Sequence, residues 1–369
     1  MQVYIYQLPN WPNFTWKQEQ LAVLLATVHN RQGRLLGRME SLGFHLQAEA
    51  NLQTLTLDVI KSSEIEGEVL DTDQVRSSIA RKLGMDIAGL IPADRHVEGV
   101  VEMMLNATQQ HQQLLSADRL FNWHAALFPT GRSGMHTINV AAWRSNTKDN
   151  PMQVVSGAMG KEKIHFQAPD ADRVNDEMNR FINWFNEDSS MDVLIKAGVA
   201  HLWFVTIHPF DDGNGRIARA IADMQLSRAD ASVQRFYSMS AQIRKERSAY
   251  YDMLESTQKG SMDITLWLTW FLQCLDRALT ATDETLSLVM NKAKFWEKHS
   301  STILNKRQQL MLNKLLDGFE GKLNTSKWAK IAKTSQDTAL RDIQDLVNKN
   351  ILVKEESGGR STNYSLAGL

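Results

Sequence analysis

Cysteine is nearly missing from this chain: its 369 residues include one, Cys274. A single thiol excludes an intramolecular disulfide and any multi-cysteine metal cluster, and it suits a reducing compartment. Net charge is also close to nothing, at a formal −1. That balance argues against coating nucleic acid by bulk charge, although one basic region can still bind it locally. No run reaches the ~18 apolar residues that span a membrane; the best is interrupted by Lys196, His201 and His208. Met1 to Phe14 has no basic leader or apolar core, and Pro9 and Pro12 break any signal-like helix. A soluble, cytoplasmic protein without membrane contact is the expectation. Internal repeats and low-complexity tracts are absent, as is the Gly-x-x-x-x-Gly-Lys-Ser/Thr phosphate loop.

What is present is mainly helical, with room for two or three domains. Leu21, Leu24, Leu25 and Val28, then Leu35, Leu36, Met39 and Leu42, then Leu52, Leu55, Val59 and Ile60 fall at helical spacing. The last of these helices runs into Ser62-Ser63-Glu64-Ile65-Glu66-Gly67, where the glycine is a natural stop. Gly84 to Gly89 and Pro92 mark a boundary, and Val97 to Leu115 reads as one amphipathic helix. Between Pro129 and Pro169 the helical rhythm fails. Gln153-Val154-Val155 and Ile164-His165-Phe166 flank a Gly157 to Gly160 turn region, which predicts a short β-hairpin. Helices resume over Val174 to Phe185, Val193 to Phe204, Ile243 to Leu254 and Ile264 to Leu275.

The end has another texture. Gln308 to Leu316, Ser326 to Ala332 and Thr338 to Asn348 predict three helices. Leu352 to Glu355 and Asn363 to Leu366 predict two strands around the turn Ser357-Gly358-Gly359. Three helices and a β-wing describe a winged helix-turn-helix, with eleven Lys and Arg against seven Asp and Glu from Lys306 onward. Mild basicity permits phosphate contacts without demanding them. The expected division is 1–92 for an N-terminal helical domain, 93–285 for the core, 286–305 for a linker helix and 306–369 for the winged helix.

The chemistry concentrates in His208-Pro-Phe-Asp-Asp-Gly-Asn-Gly-Arg-Ile-Ala-Arg219. The glycines sit where a loop enters a helix, so free backbone N–H groups and the positive end of the helix dipole face an anion. Gly213-x-Gly215-x-x-Ala218 formally fits a dinucleotide fingerprint. Its flanks are helical, however, and Arg235 and Phe236 stand where an acidic residue is needed. His124 and His136, like His96, lack metal-ligand spacing and read as structural.

The same stretch resembles the signature of the Fic family, His-x-Phe-x-Asp/Glu-Gly-Asn-Gly-Arg-x-x-Arg. The match falls at His208, Phe210, Asp212, Gly213, Asn214, Gly215, Arg216 and Arg219. Members transfer AMP from ATP to hydroxyl side chains of proteins, and the Asp149 to Pro169 hairpin resembles the "flap" that holds an extended target. Ser62, Glu66 and Gly67 match the family's inhibitory motif, placed as in the subclass with an N-terminal inhibitory helix. The resemblance implies His208 as the base that takes the hydroxyl proton, and Asp212 as the holder of Mg²⁺ across the α- and β-phosphates. The Gly213 to Gly215 N–H groups would cradle the anion, Asn214 and Arg216 would fix phosphates, and Arg219 would reach the γ-phosphate. Glu66 would compete for Arg219, and Tyr250 and Tyr251 are placed where the family contacts adenine, with core packing as the even alternative.

Three other readings stay open at this point. The residues also allow a nucleotide-sensing transcriptional regulator that binds DNA through the winged helix, a Fic enzyme using another donor, or one that removes AMP. The implied partner is a target protein presenting a hydroxyl to the flap, with self-modification and a homodimer both open.

Overall fold

The structure, a computed structural model, describes residues 3–87, 89–157, 163–319, 321–355 and 362–367, without the side chains of residues 45 and 283–285. Three helices open the chain: α1 (Gln18–Glu40), α2 (Phe44–Ile65) and α3 (Thr72–Lys82). Next come α4 (Arg95–Gln109), α5 (Ala117–Leu127) and a minimal hairpin, β1 (Arg132–Ser133) with β2 (His136–Thr137). A second antiparallel hairpin, β3 (Gln153–Ser156) and β4 (Lys163–Gln167), leads into α6 (Ala171–Asn186), α7 (Val193–Ile207) and α8 (Asn214–Asp230). Then follow α9 (Met239–Lys245), α10 (Arg247–Gln258) and the 34-residue α11 (Thr265–Lys298). The chain ends with α12 (Lys306–Leu316), α13 (Thr325–Ile331), α14 (Gln336–Asn348) and the hairpin β5 (Leu352–Lys354) with β6 (Tyr364–Leu366).

The predicted architecture is present: mainly α, with a short hairpin before the motif and three helices plus a hairpin at the end. Several boundaries differ, each for a local reason. α4 stops at Gln109 and does not reach Leu115. Arg119 donates to the carbonyls of Asn106, Gln110 and Gln113 there, which satisfies the helix's last oxygens from outside. The single helix expected over Ile243 to Leu254 is two, broken at Glu246, whose carboxylate is bound by Arg277. The linker helix expected from residue 286 is a continuation of α11, since no glycine or proline interrupts Thr265 to Lys298. The turn at Ser357-Gly358-Gly359 and the tip at Gly160 lie outside the described residues. Among the described residues, no helix is long and apolar enough to cross a membrane.

α7 organises the core. Apolar on all sides and buried from Leu194 to Ile207, it must be enclosed by other helices. α6, α8 and α11 do so, with Trp267 Nε1 of α11 donating to the Gly198 carbonyl at 2.8 Å. α4 and α5 cross closely at Gly99, where a Cβ would lie 1.8 Å from the Ala126 carbonyl oxygen. A second apolar cluster, including Phe295, Leu312, Trp328 and Ile343, belongs to the end of α11 and the C-terminal helices. That unit touches the N-terminal helices through charge: Lys292 bridges Glu49 and Asp317, each at 2.7 Å, and Lys314 reaches Asp73 at 2.5 Å.

Candidate active site

The site is the junction between α7 and α8. His208 caps α7 in the left-handed region, at φ 53°, which turns the chain out of the helix. Its Nδ1 faces the Val205 carbonyl at 3.3 Å. A carbonyl only accepts, so Nδ1 carries the proton and Nε2 keeps its lone pair. Burial pushes the imidazole down to about 4, so the ring is neutral at pH 7.

The turn is held from several sides. Phe210 is fully buried, stacked on His124 with ring centroids 4.3 Å apart. The Asn214 amide closes back on Phe210, with Oδ1 accepting from its N–H at 2.9 Å and Nδ2 donating to its carbonyl at 2.8 Å. The structure therefore employs Asn214 as a brace of the loop, a different task from the phosphate contact expected of it. Arg144, buried in the segment before the flap, donates to the His208 carbonyl at 2.7 Å and the Pro169 carbonyl at 2.5 Å. Its own N–H donates to the Pro209 carbonyl at 2.9 Å. Asp211 takes two hydrogen bonds from Asn139, and Asp212 accepts from the Ser133 hydroxyl of β1.

Gly213, at φ 79°, occupies the N-cap of α8 in a conformation that a side chain would strain. No side chain there caps the helix, so the first N–H groups of α8 are open to an anion. Asp212 is half-buried and directs Oδ1 at the Gly213 N–H, 2.6 Å away. Among the described residues, no three His, Cys, Asp or Glu side chains converge as a metal site. One carboxylate beside a phosphate cradle still suits Mg²⁺, which commonly takes one or two protein carboxylates and completes its shell with substrate phosphates and water.

Both motif arginines are buried, each 2% exposed, and both face carboxylates. Arg219 Nη1 lies 2.8 Å from Glu66 Oε1, while its Nε and Nη2 donate to the Ser62 hydroxyl and carbonyl at 3.0 and 2.9 Å. Glu66, Ser62 and Arg219 are thus brought together as the sequence suggested. Arg216, expected to fix phosphates, here donates from Nη1 to Glu68 Oε2 at 2.6 Å, and Phe128 lies under its guanidinium. Glu68 had drawn no attention in the sequence, and neither had Arg144.

A helix stop explains why two carboxylates arrive together. The Gly67 N–H bonds the Glu64 carbonyl at 3.1 Å and the Glu68 N–H bonds the Ser63 carbonyl at 3.0 Å. That pair of bonds, with Gly67 at φ 87°, is the Schellman arrangement, and it turns Glu66 and Glu68 toward α8. Glu68 also meets His96 Nε2 at 3.4 Å, so His96 has a part in the site's surroundings that its lone position did not suggest. The hydrogen bond from His96, with Arg216 nearby, outweighs burial and lowers the Glu68 carboxyl.

Tyr250 and Tyr251 separate. Tyr250 is buried with its hydroxyl 2.8 Å from His201 Nε2 and packs on Trp270, as the core-packing alternative expects. Tyr251 is half-buried at the site, its hydroxyl 3.4 Å from Glu66 Oε2.

Geometry of this kind, a neutral imidazole ahead of an uncapped helix start and two buried arginines, has the chemistry to receive a phosphate on a helical scaffold. The Fic/DOC family description matches residues 114–226, and a domain of unknown function matches residues 4–85. The chain is 35% identical over 104 residues to "Protein adenylyltransferase Fic" of Culex quinquefasciatus, which covers 28% of this chain and 19% of that protein. The relative of the same name in Drosophila ananassae matches to the same extent. The matched segment is therefore about a fifth of the length of these relatives. A Fic family protein from Desulfovibrio desulfuricans shares the fold at TM-score 0.54 and 20% identity, over 97% of this chain and 98% of its own. A Fic domain containing signaling protein from Bacteroides thetaiotaomicron does so at TM-score 0.51 and 18% identity, over 70% and 97%. Residues 114–226 are thus similar to the Fic/DOC family, and the fold is shared with Fic proteins of known structure.

Proposed function

We propose that the chain transfers AMP from ATP to hydroxyl side chains of proteins, and that Glu66 restrains it. The observation that carries this reading is the shared placement of His208, with its free Nε2, and the open N-terminus of α8 within one seven-residue turn. A hydroxyl gains nucleophilicity when Nε2 accepts its proton, and a positioned base is worth ~10²–10⁴ in rate. The oxygen attacks the α-phosphorus as the bond to pyrophosphate breaks. Charge rising on the phosphate oxygens is met by the α8 N–H groups and the arginines. Mg²⁺ would enter with the nucleotide, screening phosphate charge next to Asp212. Arg219 would hold the γ-phosphate once Glu66 leaves it, and Arg216 would gain a phosphate partner in place of Glu68.

The test is transfer of labelled AMP to lysate proteins in the presence of Mg²⁺. Glu66→Gly is expected to label more strongly than wild type, and His208→Ala to label nothing. Persistent lysate labelling by His208→Ala would remove the catalytic assignment.

A further inference from the structure

The last half of α2 has a second working face. Thr54, Leu57, Lys61 and Glu64 recur three and four residues apart, so they lie along one side of the helix, while Ser62 meets Arg219 from another. That side is one wall of an open cavity of about 470 Å³. The other walls are the segment Phe236 to Ser238, α9 and the middle of α11. Small-molecule sites commonly enclose ~300–1,000 Å³, so the space suits a ligand of modest size. Among the described residues, none from His208 to Arg219 lines it.

The lining combines carbon surface with an excess of positive charge. Leu57, Phe236, Ala278 and Ala281 supply the apolar part, and Lys61, Arg244 and Lys245 stand against one carboxylate, Glu64. Lys61 Nζ holds Glu64 Oε1 at 2.7 Å, whereas Arg244 Nε approaches Oε2 only to 3.4 Å. Lys245 is exposed and, among the described residues, unpaired. Two floor hydroxyls are turned elsewhere, Tyr237 donating to Asp230 and Ser238 to Asp58. Thr54 is different: its side chain is 3% exposed, and its hydroxyl has no partner among the described residues. Hydroxyls on buried side chains normally find one, so this group is a ready donor to a ligand.

We propose that this cavity binds a small organic anion with an apolar body, and that the bound anion fastens the turn carrying Glu66. The inference rests on the reading of Glu66 as a restraint on AMP transfer. The anionic group meets Lys245 and Arg244, and the body lies against Leu57 and Phe236. A second polar atom, about two helical turns along α2 from Lys61, accepts from Thr54. Cavity wall and restraining turn are one stretch of chain: the Glu64 carbonyl accepts the Gly67 N–H, and Arg247 Nε donates to the Ile65 carbonyl at 2.7 Å. A ligand that uses α2 as a wall binds better while α2 is in place, so its binding favours the restrained form.

The experiment titrates the full-length protein with anilinonaphthalene sulfonate, an aromatic anion that fluoresces on leaving water, and with its uncharged analogue phenylnaphthylamine. Expected is saturable binding of the sulfonate, weakened about tenfold or more in Lys245→Glu, in Ala281→Phe, whose ring fills the cavity, and for the uncharged analogue. Lys245 is exposed, so its variant keeps the fold even where Ala281→Phe does not. At about ten times its Kd the sulfonate should lower AMP transfer to lysate proteins by wild type about tenfold, and leave transfer by Glu66→Gly within about twofold. Equal binding in wild type and Lys245→Glu, or equal binding of the charged and uncharged probes, overturns the site. Equal inhibition of wild type and Glu66→Gly, or activation of wild type, overturns its link to the Glu66 turn. Absence of transfer by Glu66→Gly overturns the transferase reading and that link together, while the titration still decides whether the cavity binds anions.

Discussion

Removing the charge of Glu66 is the perturbation whose size the structure allows to be worked out. Arg219 is 2% exposed and its contact with Glu66 spans 2.8 Å, with the Glu66 side chain about a third open to solvent. A contact to a charged group of this kind contributes ~1.5–3 kcal/mol. Holding a site closed at 99:1 needs about 2.7 kcal/mol, half of the ~5.5 that inverts a 1:99 population. One glutamate is therefore enough for strong restraint. Glu66→Gln keeps the side chain's volume and removes its charge; Glu66→Gly removes both. AMP transfer to lysate protein should rise about 10- to 150-fold, since ~1.4 kcal/mol is a factor of ten. The Glu68–Arg216 pair has a more open carboxylate, 37% exposed, and such pairs are worth about 0–1 kcal/mol. Glu68→Gln should raise transfer no more than about fivefold. Because both carboxylates belong to one turn, the double variant should depart from the product of the single effects. Initial rates with labelled ATP at fixed Mg²⁺ measure wild type and all four variants. Equal rates in wild type and both Glu66 variants would refute the restraint.

Other outcomes follow from the same geometry. The His208 imidazole is held down to about 4, so transfer by Glu66→Gly should stay flat from pH 8 to about pH 5; a pH–rate profile with a midpoint near 6.5 would contradict a buried base. His124, His201 and His208 are all lowered by burial, to about 4, 3 and 4, while an unfolded histidine titrates near ~6.5. Above that value neither state is protonated and no stability is at stake; below it the unfolded chain takes up protons first, so the melting temperature should fall progressively from pH 6.5 toward 4. Arg144→Ala removes the donors that hold the His208 turn, and should lower kcat by about 10²-fold with nucleotide affinity nearly kept, as titration and single-turnover rates would show. Gly99→Ala forces a Cβ into the Ala126 carbonyl and should destabilise by ~1–3 kcal/mol in denaturant unfolding, with unchanged stability arguing against so close a crossing.

The motif was legible because its parts are neighbours in the chain: a base, a carboxylate and two glycines at a helix start need no long-range information. The hairpin was visible from lost helical rhythm, and the C-terminal helices from their spacing. Glu68 was not, since an exposed glutamate after a glycine is ordinary; it matters only because a Schellman turn aims it at an arginine 148 positions away. Arg144 had the same disadvantage, bonding a carbonyl 64 positions on from a segment without regular structure. Asn214 and Tyr250 show the converse. Their residue types suit a ligand, but burial directs them inward, to the Phe210 backbone and to His201. α11 ran past its expected end because nothing in its sequence stops a helix.

Gly215 carries a consequence of its own. The place a Cβ would occupy there lies 2.2 Å from Glu66 Oε1, so the Glu66 carboxylate fills the notch left by a missing side chain. The obstruction is then one of occupied volume as well as of charge. Surface ion pairs weaken as salt screens them, but ions in solution cannot empty a filled notch. On the proposed restraint, concentrated salt should leave the wild-type protein closed, and release requires that the Glu66 carboxylate itself leave the notch.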